Sequence, residues 1–108
     1  MRAITPPHIE QQPAPNAPTG LNATPGSIKA IVAFTPPTSD GGSAITNYEY
    51  TTNGGVSWAA FAPATTSSPV TITGLTSGTA YTIGLRAVNG VGAGTPSATV
   101  AVTTLTTP

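Results

Sequence analysis

Apolar residues in this chain recur at every second position, not every third or fourth. The clearest case is Tyr81, Ile83, Leu85 and Ala87, which alternate with Thr82, Gly84, Arg86 and Val88 and so place four apolar side chains on one face. Ser27–Thr35 repeats the period, with Ile28, Ala30, Val32 and Phe34 on one side and Lys29, Ile31 and Ala33 on the other. Residues 44–52 do so through Ile45, Tyr48 and Tyr50, residues 70–75 through Val70, Ile72 and Leu75, and residues 98–105 through Val100 and Val102. Breakers separate these runs. Pro36-Pro37 removes two donors from any ladder, Asp40-Gly41-Gly42 forms a turn, and Asn53-Gly54-Gly55 is a strong hairpin signal leading into a short strand, Val56-Ser57-Trp58. Seven short segments spaced by about 8–12 residues, with no helical period, predict an all-β fold: a seven-stranded Greek-key sandwich of two sheets.

Residues 74–94 add a more specific signal. The pattern G-L-x-x-G-T-x-Y ending at Tyr81, then Ala87-x-Asn89-x-x-Gly92-x-Gly94, resembles the fibronectin type III, immunoglobulin-like domain. Pro18-x-x-Leu21-x-Ala23 resembles the family's first strand, and Ile45-x-x-Tyr48-x-Tyr50 fits the spacing of its third. Phe34 stands where many relatives carry tryptophan, which keeps an aromatic core plug but loses the indole N–H. The resemblance implies that the Tyr81 hydroxyl bonds back to the upstream backbone. It spans residues 18–105. Thr51-x-Asn53-x-Gly55-x-Ser57-Trp58 is in addition similar to the Asp-box hairpin, with Asn for Asp, and is expected to be a self-contained turn.

Residues 1–18 depart from this pattern. They contain Pro6-Pro7 and Pro13-x-Pro15 and no useful periodicity, so they read as an extended arm or linker preceding a sandwich over 19–105 and a tail at 106–108. No secretory or membrane-spanning apolar segment occurs in the sequence.

Composition narrows the function. Only 6% of the 108 residues are charged and the net charge is zero, with Arg2, Lys29 and Arg86 scattered along the chain. A nucleic-acid partner needs clustered cations, so none is expected. There is no cysteine to form a disulfide or a thiolate metal site. His8 is the only histidine and has no companion ligand or nucleophile, so neither catalysis, metal nor cofactor is expected. Glu10, Asp40 and Glu49 offer no facing carboxylate pair. The loop Asn89–Gly94 lacks the Lys-Ser/Thr and following helix of a phosphate loop.

Two candidate surfaces remain. The first is the arm, where Ile4, Pro6, Pro7, His8 and Ile9 are expected to dock on a protein partner in a larger assembly, a capsid or tail, or on further copies of the chain. The second is a ligand-facing set, Trp58, Phe61, Asn89 and Val91. Trp58, Phe61 and Tyr50 form either an aromatic platform for weak glycan binding, or core and sheet-edge packing. Asn22-Ala23-Thr24 fits an N-glycosylation pattern that matters only in a eukaryotic secretory setting. The family resemblance extends to small immunoglobulin-like decoration and tail-accessory proteins of bacteriophages, which implies a non-enzymatic module at a virion surface, assembled in host cytoplasm. The alternative is a spacer or weak carbohydrate-binding module cut from a bacterial secreted enzyme or surface adhesin, hence extracellular or at the cell surface.

Overall fold

A computed structural model describes residues 14–106. Seven antiparallel strands are present among them: β1 (Thr19–Pro25), β2 (Ala30–Thr35), β3 (Asn47–Thr51), β4 (Ala59–Ala60), β5 (Val70–Ile72), β6 (Ala80–Val88) and β7 (Val100–Thr103). They form two sheets, ordered β1-β2-β5 and β4-β3-β6-β7. The alternating strands each carry one apolar face, and stacking two such faces buries both. From the first sheet come Ala30, Val32, Phe34, Val70 and Ile72; from the second come Tyr48, Ile83, Leu85, Ala87 and Val102. Burying each large member contributes about 1.5–3 kcal/mol. Phe34 and Tyr48 join the layers, with ring centroids 4.8 Å apart and planes tilted by 59°. The aromatic plug therefore works without an indole.

β6 is the spine of the larger sheet. It pairs with β3 in the register Tyr50↔Leu85 and with β7 in the register Ile83↔Val100. At its start the Tyr81 hydroxyl accepts a hydrogen bond from the Thr76 backbone N–H at 2.9 Å. This is the corner bond the motif implies.

Three strand assignments change. Ile28 is 59% exposed, because Gly26 N–H donates to the Lys29 carbonyl at 2.7 Å and closes a turn before β2 begins at Ala30. The short strand after the third is Ala59–Ala60 and not Val56–Trp58, since Val56 and Ser57 belong to the hairpin loop and Val56 is 85% exposed. The last strand starts only at Val100, because the Ser97 hydroxyl takes the Leu85 N–H at 3.0 Å and interrupts the ladder before it.

The two ends of the sandwich differ. One end holds the turn before β2 and the loop before β6; the other holds the β2–β3 connection and the loop after β6. The chain enters at the second end. Pro15 and Pro18 are fully buried there, Asn16 N–H donates to the Ser39 carbonyl at 3.0 Å, and Thr95 N–H donates to the Pro15 carbonyl at 3.2 Å. Gly94 permits this contact, because a Cβ at that position would run into the Pro15 backbone. Residues 15–18, grouped with the arm on sequence, thus pack against the sandwich.

Candidate functional site

The hairpin between β3 and β4 is built by its own polar side chains. The Thr51 hydroxyl donates to Asn53 Oδ1 at 2.7 Å and accepts from the Asn53 and Gly55 N–H groups at 3.3 and 2.9 Å. Asn53 Oδ1 also accepts from Ser57 N–H at 3.0 Å, and Asn53 Nδ2 donates to Ser57 Oγ at 2.9 Å. Gly54 and Gly55 supply the left-handed conformations the loop needs, with φ of 73° and 100°. The side-chain oxygens of Thr51, Asn53 and Ser57 are all engaged inside the loop, so the motif builds the turn itself.

Trp58 and Phe61 do not converge. Trp58 lies over the Arg86 guanidinium, which sits 4.4 Å from the ring centroid. Arg86 in turn binds Glu49 through Nη2 at 2.6 Å and Nε at 2.7 Å, a pair set directly opposite across β3 and β6. The ion pair cancels both charges, and the guanidinium covers one face of the indole. Phe61 packs instead on Tyr50, centroids 4.7 Å apart, and both lean on the core. Trp58 thus sits on the Arg86–Glu49 pair, and Phe61 on Tyr50.

Asn89 and Val91 part company as well. Asn89 is only 4% exposed: its Nδ2 donates to the Asp40 carbonyl at 2.8 Å, and its Oδ1 accepts from the Val91 and Gly92 N–H groups at 2.8 and 3.2 Å. It braces the 89–94 loop against the turn at Asp40, whose own carboxylate accepts from Gly42 N–H at 2.9 Å. Its side chain is turned inward and not toward solvent, contrary to the sequence expectation. Val91 is 52% exposed at the tip of the same loop. The arm residues Ile4, Pro6, Pro7, His8 and Ile9 lie outside the described residues.

One concavity escaped the sequence reading. A cavity of about 390 Å³ runs between the segment Ala17 to Leu21 on one side and Ala98 and Val100 on the other. Its walls are short side chains from two distant stretches, so no local pattern marks it. Among the described residues no cluster of three or more His, Cys, Asp or Glu is placed to hold a metal ion, and no helix is long and apolar enough to cross a membrane.

A two-sheet antiparallel sandwich with a corner tyrosine defines an immunoglobulin-like β-sandwich module. The chain belongs to the fibronectin type III domain family, whose model matches residues 16–103. Domains of this family are generally non-catalytic and mediate protein–protein interaction. The structure is similar to a crystal structure of consecutive titin domains, with 27% identity and a TM-score of 0.69 over 84% of this chain and 32% of that one. It is also similar to the twitchin kinase region from C. elegans, at 30% identity and a TM-score of 0.70 over 86% of this chain and 17% of that one. The FN5 domain of Drosophila Lar matches at 26% identity and a TM-score of 0.65, over 85% of this chain and 98% of that one. The chain thus spans about a third or less of the titin and twitchin structures. No curated protein matches it.

Proposed function

We propose that this chain is a non-enzymatic docking module that joins a larger protein assembly through its Pro-rich arm, and that the assembly is a virion surface it decorates. The observation that carries the reading is the root of the arm. Pro15 and Pro18 are buried and Asn16 and Thr95 are bonded across the entry point, so the segment before them leaves a fixed position at one end of a rigid body. That is how a tether transmits attachment to the module it carries. The rest of the exterior supports the same role: the Arg86 and Glu49 charges cancel, and the outward positions are mostly small.

The test is co-sedimentation with virions purified from the protein's own source, comparing the full chain with one lacking residues 1–13. The full chain is expected to pellet and the shortened one to stay in solution. Pelleting of both moves the docking surface to the sandwich; pelleting of neither overturns the virion reading. A second reading, a spacer within a longer surface or secreted protein, draws on the multidomain setting of the titin and twitchin relatives. Under it, neither form pellets.

A further inference from the structure

Three segments meet where the chain enters the sandwich, and their hydrogen bonds close a ring. The root of the arm joins the β2–β3 connection through Asn16. Its N–H donates to the Ser39 carbonyl at 3.0 Å, and its Nδ2 donates to Thr38 Oγ1 at 3.5 Å. That connection joins the loop after β6 through Asn89, whose Nδ2 donates to the Asp40 carbonyl at 2.8 Å and the Ser43 carbonyl at 3.5 Å. The loop returns to the root through Thr95, whose N–H donates to the Pro15 carbonyl at 3.2 Å. Pro15 is fully buried at the junction, and its backbone lies so close to Gly94 that no Cβ fits there.

Each loop also holds its own shape. Asn89 Oδ1 accepts from the Val91 and Gly92 N–H groups, while Ser39 Oγ and Asp40 Oδ1 accept from those of Gly41 and Gly42. The two loops meet directly at Asn89 and, by way of the root, at Asn16 and Thr95.

We propose that Pro15–Asn16 is a latch on this loop pair. Seated, it holds the two loops together and restrains the 89–94 loop with its exposed tip, Val91; released, it lets both loops move. Three features carry the inference. First, the root bonds to both loops through backbone groups, so it bridges them. Second, none of residues 15–16, 38–43 and 89–95 belongs to the core cluster, so the ring can open locally while the sheets stay packed. Third, the seat suits the latch. Glycine at 94 leaves the room that the Pro15 backbone takes, and Pro15, with its φ fixed, has less freedom to lose on seating. The coupling is reciprocal: whatever stiffens the loop pair secures the root, and a pull on the chain before Pro15 loosens the loop pair. Its use under load rests on the reading of the arm as a tether; the latch itself does not.

Two substitutions in the full chain test the latch from opposite sides, with circular dichroism showing that the sandwich is retained. In Gly94→Ala the added methyl runs into the Pro15 backbone, at a position that needs no left-handed conformation. Asn16→Pro removes the N–H that bonds Ser39. Amide hydrogen exchange is expected to quicken about tenfold or more in both variants at Gly41, Gly42, Val91 and Gly92, with the amides of β2 and β3 unchanged. The decisive amides lie across the root from each change: Gly41 and Gly42 for Gly94→Ala, Val91 and Gly92 for Asn16→Pro. Quickening confined to the substituted side in either folded variant overturns the latch, as does exchange equal to that of the unaltered chain. A chain lacking residues 1–13 keeps the ring and is expected to exchange as the full chain does; quickening there places the restraint in the arm and overturns the latch as well. None of these readouts needs a partner, so the latch stands or falls separately from the docking reading, which co-sedimentation tests.

Discussion

Tyr81 spends its hydroxyl on one backbone N–H, that of Thr76, at 2.9 Å. Removing that oxygen leaves a loop donor without its acceptor, and a net hydrogen bond is worth about 0.5–1.5 kcal/mol. Tyr81→Phe is therefore expected to lower the melting temperature by roughly 4–8 °C, since about 1 kcal/mol has that effect in a domain of this size. Calorimetry of the two chains checks it. Tyr48 works differently. Burial holds its phenol above the ordinary value of 10.0, so the folded state keeps a proton that the unfolded chain releases. The unfolded chain then binds fewer protons than the folded one at high pH, and stability falls as pH rises past about 10. Below that this group contributes no slope. Denaturant melts at pH 8 and pH 11 are expected to show the loss, and Tyr48→Phe to reduce it. Tyr81 was legible because its role depends on a local motif. Asn89 was not: exposure at a loop tip and burial as a brace call for the same residue type, and only the position of Asp40 distinguishes them.

At the scale of elements, period-two alternation located the strands wherever both faces had contrasting neighbours, as in β2, β5 and β6. It failed at ends. Ile28 continues the apolar pattern but falls in a turn, because the Gly26–Lys29 bond fixes the backbone before the strand starts. Ser57 fails for a related reason: the loop's own polar network claims it before a ladder can, and Val56 beside it is left exposed. That network makes a prediction about its centre. Asn53→Asp keeps Oδ1 as acceptor for Thr51 and Ser57 and lets the Ser57 hydroxyl donate to the second oxygen, so stability is expected to change by less than about 0.5 kcal/mol. Asn53→Ala strips these partners and is expected to cost about 1–2 kcal/mol. Equal melts for the two variants would contradict the loop as described.

At the scale of the whole molecule, the sequence carried the fold well and the contact surfaces poorly. Strand order and core follow from alternation and breakers that lie along one stretch of chain. The cavity does not, because Ala17–Leu21 and Ala98–Val100 meet only after β1 and β7 become edges of different sheets. The stacking of Trp58 on Arg86 is likewise a product of register, with Arg86 opposite Glu49. What results is a sandwich with its polar groups largely satisfied internally and an arm rooted at one end. The arm's boundary moves accordingly: the removable part is residues 1–13, since Pro15 and Pro18 belong to the packed body.

The central claim is that the arm attaches the module. Co-sedimentation of the full chain and of a chain lacking residues 1–13 with virions from the protein's own source tests it most directly, with circular dichroism showing that both retain the sandwich. The account predicts that the full chain pellets and that the shortened chain stays in solution. Equal behaviour of the two chains would contradict it.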